Sequence, residues 1–213
     1  AGVRGEVVPP AEAQETWLRI MNTPAKKGEV QAAYIHIPFC KTKCLYCGFF
    51  QNAAQQSAED DYVETLIEEI EASADAPRLK GGLIHAVFIG GGTPTSLSAE
   101  NAARVLSTLR RVLPFANDYE LTLEGRIHDL VPEKIEAWLA NGVNRISLGV
   151  QSFDTKVRQS QGRIETREEV LERLKRLKSY EQCSVVLDLI YGLPGQSMEV
   201  WQQDLDDLIA SGI

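Results

Sequence analysis

Tyr34-Ile35-His36-Ile37-Pro38-Phe39-Cys40-Lys41-Thr42-Lys43-Cys44-Leu45-Tyr46-Cys47 sets three cysteines at CxxxCxxC spacing directly behind an apolar, strand-like run. Three thiolates this close can bind three irons of one cubane and leave the fourth iron without a protein ligand. A structural zinc site wants four closed ligands, and His36, inside the preceding run, is poorly placed to be the fourth. An electron-transfer cluster would need a fourth ligand too. The spacing alone therefore favours a cluster with an open iron over zinc. The fourth cysteine of the sequence, Cys183, is far away. That is not the spread of a disulfide framework, so a reducing, cytoplasmic compartment is expected. Cys183 opens a later apolar run and reads as an inert buried thiol.

Around this loop the chain alternates between two periodicities. Apolar runs at 32–37, 85–89, 119–123, 145–150 and 184–191 predict strands. Helical spacing predicts helices over 60–71, with Ser57 as N-cap, 99–113, 133–141 and 198–210, and a short one over 13–21. Pro132 suits a first helical position and Gly142 a C-terminal cap. Thr166 with Glu169 makes a capping-box pattern ahead of Val170, Leu171, Leu174 and Leu177. Strand then helix, repeated in this way, predicts an α/β fold, a parallel sheet with helices outside it. The near-continuous apolar runs suggest strands covered on both faces. Chemistry is expected at the C-terminal ends of the strands. Residues 1–30, with Pro9, Pro10, Pro24 and Gly28, read as an arm, and 31–213 as one core whose sixth strand is expected after Gly212-Ile213.

With 213 residues, 44% of them hydrophobic, the chain can bury one core. It has no run of about 18 apolar residues, so no membrane span is expected. Its N-terminus lacks a basic region followed by an apolar stretch, so a signal peptide is not expected. A net charge of −8 argues against a nucleic-acid partner.

Three further motifs follow the cysteines in order: Gly90-Gly91-Gly92-Thr93-Pro94-Thr95, Gly149-Val150-Gln151-Ser152-Phe153 and Asp188-Leu189-Ile190-Tyr191-Gly192-Leu193-Pro194. Read singly, the glycines are a tight turn or a close approach to a ligand. Glu124 and Asp188, carboxylates amid apolar runs, need a partner or a ligand. Gln151 suits backbone, Arg163 suits a solvated loop, and Tyr34 and Tyr46 suit the core. Together with the cysteine segment, over residues 33–213, the motifs resemble the radical S-adenosylmethionine (SAM) family of oxygen-independent coproporphyrinogen III oxidase and its relatives.

That resemblance implies a TIM-like partial (β/α)6 barrel, here ending after about five βα units, with a [4Fe-4S] cluster on Cys40, Cys44 and Cys47. The open iron would chelate SAM, and one electron from a flavodoxin- or ferredoxin-type donor would cleave it to methionine and a 5′-deoxyadenosyl radical. It assigns Gly91, Gly92 and Thr93 to the methionine end of SAM. Glu124, Gln151, Arg163 and Asp188 become further SAM contacts, and Tyr34 and Tyr46 line the adenosyl site. Oxidases of the family carry a cysteine where this chain has Phe49, and the heme-chaperone relatives usually have an aspartate at Gly48. The segment 47–52 together with Glu124-Gly125-Arg126 resembles the heme-utilisation branch, methyltransferases that open heme without oxygen and free its iron. Propionate decarboxylation of a porphyrinogen and heme delivery without turnover are the alternatives. Arg126 suits a heme propionate or, equally, a structural ion pair.

Overall fold

Each predicted strand becomes a strand, and each is followed by a helix before the next strand of the sheet or the end of the described chain. The computed structural model describes residues 7–213; the first six residues of the expected arm lie outside it. The described chain begins with α1 (Ala13–Met21), β1 (Gln31–Ile37), β2 (Phe39–Cys40), β3 (Asn52–Ala53), α2 (Gln56–Ala72) and α3 (Pro77–Lys80). It continues with β4 (Ile84–Gly91), α4 (Ala99–Val112), β5 (Phe115–Gly125), α5 (Pro132–Ala140) and β6 (Arg145–Gln151). It closes with α6 (Thr155–Ser160), α7 (Arg167–Lys178), β7 (Ser184–Leu189) and α8 (Met198–Ser211). Five strands form one sheet in the order β1-β4-β5-β6-β7, every neighbouring pair parallel. The sheet is open: β1 and β7 are its edges. It is the five-stranded part of a TIM-like barrel, with helices on one face.

Local signals place most boundaries. The Thr166–Glu169 capping box forms in full at the start of α7. Pro132 takes the first turn of α5, and Gly142, at φ +91°, turns the chain out just beyond its end. Ser57 is not a cap. Helix α2 starts before it, behind Gln55, and has no side-chain cap. Asp60 in its first turns accepts from Gln56 and, across helices, from Asn101, so one local and one tertiary bond support the earlier start. The strands are longer than their apolar runs at 85–89 and 119–123, because pairing continues past the last apolar residue.

The expectation of strands covered on both faces needs correcting. The outer face carries Ile37, Val87, Ile89, Leu121, Leu123, Ile146 and Leu148, all buried beneath the helices with Leu106, Leu109, Ile135 and Trp138. Side chains alternate along a strand, so the register puts Tyr34, Phe88, Thr122, Glu124, Ser147 and Asp188 on the opposite face. That face is polar and partly open: Arg145 pairs with Glu120 at 3.2 Å, and Thr122 donates to Glu120 at 3.0 Å. It is the inner wall of the partial barrel, and its C-terminal rim bears the motifs. Among the described residues no helix is long and apolar enough to cross a membrane.

Candidate functional site

The cysteine loop is pinned at its root. Strands β2 and β3 are two residues each, and they pair in parallel (Phe39 with Asn52, Cys40 with Ala53), closing the loop between them. The Ala54 N–H donates to the Cys40 carbonyl at 3.0 Å. The glycine motif braces the same root: Gly92 N–H donates to the Ile37 carbonyl at 2.8 Å and Thr93 N–H to the Phe39 carbonyl at 2.7 Å. A Cβ on Gly92 would lie 2.5 Å from the Phe39 oxygen, and Gly91 sits at φ +117° against the His36 ring. The protein's own backbone therefore requires glycine at both positions.

Cys40 and Cys44 are buried, Cys47 is part-exposed, and all are free thiols. Thr93 Oγ1 donates to Cys40 Sγ and Phe49 N–H to Cys47 Sγ, each at 3.3 Å. Hydrogen bonds to sulfur are what tune an iron–sulfur centre. Among the described residues no group of three His, Cys, Asp or Glu is set to hold a single metal ion. A cubane gives each thiolate its own iron, so its ligands need not converge. The donor set fits a cluster.

Around this loop the strand ends present polar groups. Glu124, near the end of β5, is half-buried; burial pushes its carboxyl above the ordinary value, the Gly91 N–H pulls it back, and the Asp188 charge pushes it further up. Asp188, exposed on β7, accepts from Ser147 Oγ at 3.3 Å. Gln151 ends β6 at a bulge with φ +72°, a left-handed conformation strained for a residue other than glycine. Its Oε1 is buried without a partner. Arg163 is 8% exposed rather than solvated. It donates to the Gly149 carbonyl and, at 2.7 Å, to the Tyr46 hydroxyl, while its Nε stays unpartnered. Tyr46 thus joins the cysteine loop to the segment after β6, and so does Leu45 N–H, which donates to the Gln161 carbonyl at 3.2 Å. Tyr34 is exposed on β1, stacked on Phe88 at 6.2 Å with its hydroxyl 3.1 Å from His36 Nδ1. Orphaned polar atoms at Gln151 and Arg163 fit a polar ligand bound beside the cluster loop.

Two buried networks that carry no sequence signal hold this rim. Arg158 binds the carbonyls of Val150, Ser152 and Glu165 and the Glu165 carboxylate, at 2.7, 3.1, 2.9 and 3.0 Å. Asp204 of α8 accepts from Ser152 Oγ at 2.8 Å, Phe153 N–H at 2.6 Å and Gln196 Nε2 at 3.0 Å. Gln196 in turn donates to the Ile190 carbonyl at 3.2 Å. The turns after β6 and β7 are therefore tied to each other from beneath.

An open parallel sheet with a free-cysteine loop behind its first strand and unsatisfied polar groups on its rim is a partial-barrel α/β scaffold with a site built for a ligand. The chain belongs to the radical SAM superfamily, whose family model matches residues 34–208. The family's cofactors are a [4Fe-4S] cluster and SAM. The chain is 42% identical over 200 residues to anaerobilin synthase of Escherichia coli O157:H7, covering 93% of this chain and 45% of that protein. It is 38% identical over 178 residues to heme chaperone HemW of Lactococcus lactis, covering 84% and 45%. Coproporphyrinogen III oxidase (HemN) from Escherichia coli superposes with TM-score 0.81 at 29% identity, covering 92% and 45%. The chain spans about half the length of the relatives it matches.

Proposed function

We propose that this chain is the radical SAM core of an enzyme that degrades heme anaerobically, by methyl transfer and radical ring opening with release of the iron. The observation that carries the reading is the 42% identity to anaerobilin synthase across 93% of the chain. Phe49 in place of the oxidases' cysteine and Glu124-Gly125-Arg126 point the same way. In this reading residues 31–213 are the core and 1–30 an arm. The substrate-covering part belongs to the half of the relatives' length that this chain does not span.

Cys40, Cys44 and Cys47 hold the cluster. When bound, the cluster and SAM supply a 5′-deoxyadenosyl radical by one-electron cleavage of the sulfonium, the electron coming from a flavodoxin- or ferredoxin-type donor. The other residues position SAM. Gly91, Gly92 and Thr93 offer backbone close to the cysteines. Glu124 and Asp188 set negative charge beside a cationic ligand, Gln151 supplies an open acceptor and Arg163 an open donor. Tyr34 and Tyr46 flank the adenosyl group.

Glu124→Ala or Asp188→Ala weakens SAM binding by roughly one to two orders of magnitude, the worth of a charge-assisted hydrogen bond. Because the Glu124 carboxyl sits above its ordinary value of 4.5, it is ionised only once pH rises through that raised value. SAM affinity therefore increases with pH above the ordinary carboxylate range, and Glu124→Gln flattens that slope. Equilibrium dialysis across pH checks both; unchanged affinity in the two alanine variants refutes the assignment.

The function itself is tested with heme, SAM and reduced flavodoxin under argon. The heme-degrading reading expects bleaching of the Soret band, free iron, and S-adenosylhomocysteine beside 5′-deoxyadenosine, because methyl transfer and radical formation leave different SAM remnants. The second reading, favoured by the 38% identity to HemW, expects bound heme with an unchanged spectrum. A porphyrinogen decarboxylase would release carbon dioxide and 5′-deoxyadenosine, with no S-adenosylhomocysteine.

A further inference from the structure

We propose that Arg126, with Thr42 and Ser96, forms a subsite for a side-chain carboxylate of the substrate, beside the cysteine loop. The subsite rests on the tetrapyrrole reading for the identity of the substrate. A cavity of about 90 Å³ lies against this loop, walled by Lys41, Thr42, Ser96, Arg126, His128 and Arg163 among others. Its charges do not cancel. The two carboxylates on its wall are already engaged: Asp129 by Lys41 at 3.3 Å, Glu165 by His128 and Arg158 at 3.0 Å each. Among the described residues neither Arg126 nor Arg163 has a carboxylate within ion-pair distance. The structural ion pair that was the other reading of Arg126 is absent from them.

Arg126 is instead held by one neutral bond, Nη1 donating to Thr42 Oγ1 at 3.0 Å. Thr42 stands between the first two cysteines, so the free side of the guanidinium is fixed next to the cluster loop. One more group on the cavity wall is unsatisfied: Ser96 Oγ, in a residue 4% exposed. Buried polar atoms without partners mark a place where a ligand or ordered water completes the bonding. The anion that suits a planar guanidinium fork and a hydroxyl is a carboxylate.

Size sets what enters. About 90 Å³ is well below the roughly 300–1,000 Å³ of a pocket that takes a whole ligand, leaving room for a carboxylate arm and not for a macrocycle. The ring must stay outside, and the nearby surface suits it. Ile164 on the cavity wall is exposed, as are Leu45 and Phe49 on the cysteine loop, Phe49 by 82%. One exposed apolar side chain on the wall of a cationic pocket, with two more on the loop that supplies part of that wall, matches a flat apolar ring bearing carboxylate arms.

The test uses the holoprotein with its cluster reconstituted under argon and no reductant, titrated by Soret absorbance with heme and with heme dimethyl ester. Arg126→Gln is expected to weaken binding of the free acid by about tenfold or more, as for a lost charge-assisted hydrogen bond. Binding of the ester should be unchanged by the substitution, Arg126→Lys should recover part of the loss, and SAM affinity should stay within about twofold, or roughly 0.4 kcal/mol. An equal loss for acid and ester, or a parallel fall in SAM affinity, overturns the subsite. If wild type does not bind heme, coproporphyrin and its tetramethyl ester replace it. An acid-specific loss there upholds the subsite while sinking the heme reading, and wild-type binding of neither tetrapyrrole overturns both.

Discussion

Alanine in place of Cys40, Cys44 or Cys47 removes most of the iron from protein reconstituted under argon, whereas Cys183→Ala keeps it. The reason is ligand arithmetic set by the fold. In the proposed assignment each of the three thiolates would take a different iron of a cubane, and the loop offers no spare sulfur, so one substitution would strip a corner that nothing nearby replaces. Cys183 cannot stand in. It lies just before β7 (Ser184–Leu189), at the opposite end of the strands from the loop that follows β1. Six strand residues rise about 20 Å, far beyond reach. Burial also holds its thiol above the ordinary value, so it remains protonated. Iron and acid-labile sulfide per chain decide the matter: about four of each in wild type and Cys183→Ala, and a small remainder in the other three variants. Loss of the cluster in Cys183→Ala would refute the three-ligand assignment.

Replacing Arg158 by methionine lowers stability by about 3–5 kcal/mol, the cost of removing one partner from a buried ion pair. The Arg158 side chain is 0% exposed and its partner Glu165 7%. Methionine fills part of the volume but strands three carbonyls and leaves Glu165 with the His128 ring as its remaining side-chain partner. The sign of the pH dependence follows from Glu165. Burial pushes its carboxyl up, but its own N–H, Arg158 and His128 together hold it below the ordinary value of 4.5. A carboxylate with a lowered folded value contributes stability above its unfolded value and loses it as pH falls through the folded one. The gap between wild type and Arg158→Met is therefore widest at neutral pH and narrows in acid, where Glu165 can protonate instead of standing uncompensated. Urea denaturation at neutral pH and below 4.5 measures it. A gap under about 1 kcal/mol, the size of a surface pair, or one that does not change with pH, contradicts the argument. Since Arg158 grips the carbonyls on either side of Gln151, the variant should also bind SAM more weakly.

Neither Arg158 nor Asp204 announces itself in the sequence. Arg158 sits on a six-residue helix that no apolar periodicity signals, and Asp204 looks like one more charge on an amphipathic helix. Their roles come from partners brought together by folding: Ser152 is 52 positions from Asp204, and Tyr46 is 117 from Arg163. Arg163, which read as a solvated loop residue apart from the resemblance, is buried for the same reason. The inner face of the sheet escaped a similar reading. The runs look uniformly apolar at their centres, and only the register shows Thr122, Glu124, Ser147 and Asp188 aligned on one side.

What the sequence by itself determined is short-ranged. The cysteine spacing, the alternation of strand and helix, the Thr166–Glu169 box and the turn at Gly142 each depend on residues within a few positions of one another, so the chain carries them openly. The tertiary structure alone decided which charges are buried and paired, why Gly91 and Gly92 admit no side chain, and that Arg126 lines a cavity with no carboxylate in ion-pair distance among the described residues. Those outcomes depend on close approach between distant segments and on the desolvation it imposes, and no local pattern of residues encodes either.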